Sequence, residues 1–209
     1  MKKLLYTCVP VCCLMLLLCS IVVSAQQHHL HYKLVKGNDT VGEMSVVDIK
    51  SYEQRIIQTS LKADVPAVIL HFTLTDEKSA VFNSQVLQSA VVTRNLFTGR
   101  PDRSITILKN NQYTDGKIPL PAFTYGQVIN FSMTMLYTTE PVDKQFVYSE
   151  FHQQLVAVEK IGEHIYRIKL PDGQTGEYYY ENGICVKIDT KTTWANISTV
   201  LVNRKIALK

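Results

Sequence analysis

IYRIKLPDGQTGEYYYENGICVKIDTK, residues 165–191, is the stretch whose reading decides the fold. Tyr166, Ile168 and Leu170 alternate with Arg167 and Lys169, which is the two-residue period of a strand. Pro171-Asp172-Gly173 follows as a turn in which proline presets φ and glycine accepts the left-handed conformation. A second strand is expected from Gln174 to Glu181. Asn182-Gly183 comes next, the strongest short hairpin signal available, because both residues tolerate positive φ. Ile184, Val186 and Ile188 continue a third strand.

These turns imply a register. With a two-residue loop at Asn182-Gly183, Tyr180 faces Cys185 and Tyr178 faces Lys187. A three-residue loop at 171–173 places Tyr166, Ile168 and Leu170 on that same side. Ile184, Val186 and Ile188 point the other way, beside Tyr179, so neither side reads as fully solvated and the sheet should be curved or doubly packed. Tyr166, Tyr178, Tyr180, Cys185 and Lys187 are therefore the candidate ligand-facing residues.

Working outward, the pattern repeats over Leu30 to Lys36, Thr40 to Ile49, Gln54 to Lys62, Ala67 to Phe82, Val86 to Leu96 and Ser104 to Lys109, with turns at 37–39 and 83–84. Phe146 to Glu159 resumes strand character. Regularly spaced strands with short turns predict an all-β antiparallel meander, curved into a roll or open barrel. One short helix is expected near 126–137, where Val128, Phe131, Met135 and Leu136 recur at helical spacing between Pro121 and Pro141.

The first 25 residues read as a cleavable secretory signal: Lys2 and Lys3, an almost wholly apolar run from Val11 to Val23, then Val23-Ser24-Ala25. An uncleaved anchor is the competing reading, because Leu4 to Val23 could span a bilayer, but Pro10 interrupts it. Cys19 follows Leu18 rather than a small residue, which argues against a lipid anchor. Cleavage leaves a single domain of residues 26–209 with no membrane span, exported to the periplasm or cell surface. Removing 25 of the 209 residues leaves 184, enough for a sizeable core. Of five cysteines only Cys185 survives, so no intramolecular disulfide can form.

The formal charge of +4 falls to about +2 once Lys2 and Lys3 leave. Without a basic footprint, nucleic-acid binding is excluded as a class, and so is a polybasic membrane patch.

Leu136-Tyr137 with Glu140-Pro141, Val147-Tyr148-Ser149-Glu150, Leu170 to Gly173, and Tyr178 to Ile188 together resemble an uncharacterised family, a domain of unknown function found in small exported proteins of Bacteroidota-type bacteria. The resemblance covers most of the mature chain. It implies an exported, all-β, roll-like domain and carries no catalytic residues over.

Catalytic signals are sparse. No Gly-x-Ser-x-Gly turn marks a nucleophile. His71, His152 and His164 are scattered, and Glu140, Asp143 and Glu150 read more simply as loop charges than as an acid/base pair. Cys185 near Lys187 could be reactive, though a buried apolar role suits it better. Gln26-Gln27-His28 would put an imidazole third from a new amino terminus, with His29 alongside, a square-planar set for Cu(II) or Ni(II). Asp39-Thr40-Val41 resembles an O-glycosylation pattern, with Thr40 as the acceptor. No cofactor is expected. The expected function is a non-enzymatic exported protein that binds an apolar ligand or a cell-envelope partner, with a small hydrolase or isomerase, or metal capture, as alternatives.

Overall fold

The computed structural model describes residues 26–66, 71–96, 100–124, 126–192 and 195–208. The predicted signal lies outside them. Strand-forming alternation is plainest in β2 (Asp39–Lys50), where Met44, Val46 and Asp48 are buried while Glu43 and Ser45 are exposed. With β1 (Gln26–Lys36), β3 (Gln54–Pro66), β4 (His71–Asn83), β5 (Val86–Leu96), β6 (Asp102–Lys109) and β7 (Gln112–Thr114) it builds one half of the molecule. β8 (Phe146–Ser149), β9 (Gln154–Gly162), β10 (Ile165–Lys169), β11 (Thr175–Glu181), β12 (Ile184–Lys191) and β13 (Asn196–Leu208) build the other.

All thirteen form one antiparallel meander in the order β7-β6-β5-β4-β3-β2-β1-β13-β12-β11-β10-β9-β8. The first and last strands are neighbours at its centre, and the free ends are β7 and β8. The ladder does not close. Instead the sheet curls until its ends meet through side chains: Thr106 of β6 and Tyr148 of β8 share a 2.6 Å hydrogen bond, Ser104 Oγ donates to the Phe151 carbonyl at 2.7 Å, and Gln153 Nε2 donates to the Ile105 carbonyl at 2.6 Å.

Residues 129–132 run along this seam as a strap. The Leu87 amide donates to the Ile129 carbonyl at 2.8 Å on one side, and the Tyr148 amide donates to the Phe131 carbonyl at 3.0 Å on the other. The outer edge of β7 is likewise covered, by a bridge from Thr114 to Pro119 and a bond from the Leu120 amide to the Tyr113 carbonyl. Both sheet ends are thus blunted by the chain itself, which protects them from pairing with another chain.

Among the described residues two apolar cores result. The first joins the inner face of β1 to β5 with Tyr113, Phe123, Ile129, Tyr148 and Ile184. The second joins Phe131, Leu136, Val147 and Val156 to Tyr166, Ile168, Tyr178, Tyr180, Cys185 and Ile188. Met135 and Tyr137 pack against both.

Three expectations are corrected or refined. The helix near 126–137 is only a 3-10 turn, Met133–Tyr137, closed by bonds from Met135 to Ser132 and from Thr138 to Met135. Before it the strap is extended: Val128 and Asn130 are exposed while Ile129 and Phe131 are buried, a period of two hidden beneath the helical spacing. The strand character expected over Phe146 to Glu159 is divided into the hairpin β8–β9, turned at Glu150–Gln153. Finally, Tyr180 does pair with Cys185, but Tyr178 pairs with Ile188 and Lys187 with Tyr179, because a bulge leaves Val186 as an extra residue.

Candidate functional site

The two turns that framed the fold behave as their residues require. Asn182 and Gly183 both have positive φ, 50° and 76°, as a two-residue hairpin needs. Gly173, at φ 86°, closes the 171–173 loop. Between them Tyr166, Tyr178, Tyr180 and Cys185 converge on the inner face, with Tyr166 and Tyr180 rings edge to face at 5.7 Å. Gly176 makes room for this packing, since a Cβ there would come within 2.9 Å of the Tyr178 ring.

Lys187 does not join them. The bulge turns it to the outer face, where its ammonium lies 2.7 Å from Asp189 and 5.0 Å from the centre of the Tyr179 ring. The thiol therefore gains no cationic neighbour from it, and burial pushes Cys185 up to about 12. Burial also drives the Tyr178 and Tyr180 phenols well above their usual range. Tyr166 is raised to about 12 by burial and by its hydrogen bond to Glu140. These four side chains pack against Phe131 and Leu136 of the strap and 3-10 turn.

Charged groups are buried beside the two cores. Asp76 of β4 accepts Arg94 at 2.7 Å, with Lys78 at 3.7 Å, and Arg94 also lies over the Phe151 ring at 4.1 Å. Glu150, 3 % exposed, accepts the Thr134 amide at 2.9 Å. The charges of both Asp76 and Glu150 reach the Tyr137 phenol. A second cluster holds the far end of the 3-10 turn: Asp48 takes the Arg55 guanidinium at 2.7 Å and the Thr138 hydroxyl, while Arg55 donates to Thr138 and Thr139 at 2.8 Å. Glu140 accepts Tyr166 Oη at 2.8 Å and lies 3.0 Å from His164 Nδ1. Glu140 and Glu150 do lie in a loop and a turn as expected, but their carboxylates are packed and hydrogen-bonded instead of solvated. The inward register of Asp48 with Met44 and Val46, and of Asp76 with Ala80, was the sequence signal for these buried charges.

Ser149, His152 and Asp172, distant in the sequence, meet in space: Ser149 Oγ is 3.0 Å from His152 Nδ1, and His152 Nε2 is 3.4 Å from Asp172. The serine is 2 % exposed and bonds within its own turn, so this relay shapes the β8–β9 turn instead of presenting a nucleophile.

The amino-terminal metal set expected from the sequence requires a free amine at Gln26, which only cleavage would create. Gln26, Gln27 and His28 are extended in β1 and paired to both β2 and β13, and strand alternation sends His28 and His29 to opposite faces. A four-nitrogen chelate would need that backbone folded around the ion. Among the described residues no group of three or more His, Cys, Asp or Glu side chains could hold a metal. Thr40 is exposed at the start of β2 and lines a polar outer groove of about 380 Å³ with His31, Lys33, Glu43, Lys62 and Asp64.

No curated protein and no solved structure matches this sequence. One family model does, over residues 32–202, a span that takes in the strap, the seam and both cores. The chain belongs to that family, described as a domain of unknown function, DUF6134.

Proposed function

We propose that this chain is an exported, non-enzymatic binding module of the cell envelope, periplasmic or at the surface, that docks a protein partner along its seam. The observation behind this reading is the placement of exposed apolar side chains. Ile107, Ile118, Val128, Val142, Phe146 and Leu155 all belong to the elements that meet at the seam or to the chain between them. Six of the ten exposed large hydrophobics among the described residues fall in these elements, with Tyr52, Leu96, Val202 and Ile206 elsewhere, and such an excess in one region of the chain favours an interaction site there. The inner aromatic face is occupied by the protein's own strap and 3-10 turn, which favours a partner outside over an apolar ligand inside. Export rests on the amino-terminal sequence pattern.

A photo-crosslinking residue at Phe146, compared with one at Tyr52, a still more exposed site in the β2–β3 turn, tests the proposal in the native host. A discrete crosslinked protein at 146 and none at 52 is the expected result. Equal or absent crosslinking at both would remove the partner reading. Intact mass of the envelope protein should correspond to a chain beginning at Gln26; an unprocessed mass would overturn cleavage.

A further inference from the structure

We infer that the seam is a gate: the place where the curled sheet parts under native conditions, and the route by which the second core becomes accessible. This goes beyond the docking proposal and stands or falls separately from it.

The first ground is the uneven distribution of backbone bonds. Adjacent strands are joined by continuous ladders, from three residue pairs between β6 and β7 to thirteen between β3 and β4. Across the seam the strap's carbonyls accept one amide from Leu87 and one from Tyr148, and the other bonds use side chains: the Ile129 amide donates to Tyr113 Oη, Ser104 and Thr106 bond across to β8 and its turn, and Gln153 of that turn bonds back to β6. Local opening follows the weakest hydrogen-bonded boundary.

The second ground is strain. Gln153 sits at φ 54°, a left-handed conformation unusual for glutamine, while its side chain reaches across to β6. Releasing β6 frees this turn to relax.

The third is the chemistry of the facing walls. Asp76, Arg94 and Glu150 are packed behind the seam beside Phe151 and Tyr137, and water entering on opening would hydrate groups that are expensive to bury. Lifting the strap and the β8–β9 hairpin would open the cluster in which Phe131, Val147 and Val156 pack with Tyr178, Tyr180 and Cys185.

Cys185 is the natural reporter, as the single thiol in residues 26–209. Its alkylation rate under native conditions should rise at least fivefold in Ser104→Ala/Thr106→Val, and stay near wild type in a β2 variant such as Val46→Ala brought to the same melting temperature. Labelling that tracks melting temperature alike in both would overturn the gate. Hydrogen exchange on the unmodified protein provides an independent reading should either variant fail to fold. The Leu87 and Tyr148 amides should exchange well ahead of the Tyr32 amide in β1; exchange of all three only through global unfolding would also overturn it.

Discussion

Asp48 shows what a single inward-facing charge does in this fold. It is 3 % exposed and is neutralised by Arg55, which in turn holds Thr138 and Thr139. Asp48→Ala would leave that guanidinium half-buried without its anion, and should lower unfolding free energy by about 3–5 kcal/mol. Urea denaturation measures this, and a loss below about 1 kcal/mol would show the pair to be dispensable. His28, directly across from Asp48, carries a pH prediction. Burial lowers its pKa below 6.5, aided by Arg204, Arg55 and Lys50 and opposed by Asp48. The unfolded chain then binds the proton more readily, so this contribution to stability is present above about 6.5 and lost as pH falls through the folded value. Melting curves of His28→Gln should fall less steeply with acidification than those of the wild type; parallel curves would reject the assignment.

At the scale of elements, the 3-10 turn is the piece that joins the two cores. Leu136 is fully buried in the second, while Met135 and Tyr137 touch both. Leu136→Ala should destabilise the protein by about 2–5 kcal/mol, measured by denaturant midpoint, since neighbouring strands cannot collapse into the space. The hairpins were legible because their turns depend on a few local residues: Asn182-Gly183 and 171–173 stand where the sequence put them, and Tyr180 faces Cys185 as expected. What escaped depended on tertiary context. A bulge at Val186 obeys no local composition rule, yet it moved Lys187 to the outer face and Ile188 to the inner one. The strap's alternation over Val128 to Phe131 is too short to outweigh helical spacing, and its extended form is held by Leu87 of β5 and Tyr148 of β8, far apart along the sheet. The Ser149–His152–Asp172 relay was invisible because it requires the β8–β9 turn to meet the 171–173 loop.

Across the whole molecule, the meander was readable from strand spacing, but the meeting of its ends was not, since no local signal pairs β6 with the turn after β8. The arrangement also makes β13 indispensable to its neighbours. Deleting residues 196–208 would strip β1 and β12 of a partner each, and the expected outcome is an aggregating chain, visible by light scattering; a soluble monomer with the native far-ultraviolet spectrum would contradict this. The same adjacency bears on how the protein is made. A chain emerging amino end first can zip β1 through β7 as successive local hairpins, and later β8 through β12, but β1 must wait with one side unpaired until the final strand arrives. Assembly therefore ends with a contact between its earliest and latest products, a non-local step of the kind that folds slowly. During that interval an aggregation-prone edge lies open at the middle of the future sheet, making the period just after synthesis, rather than the finished fold, the time when the protein most needs protection.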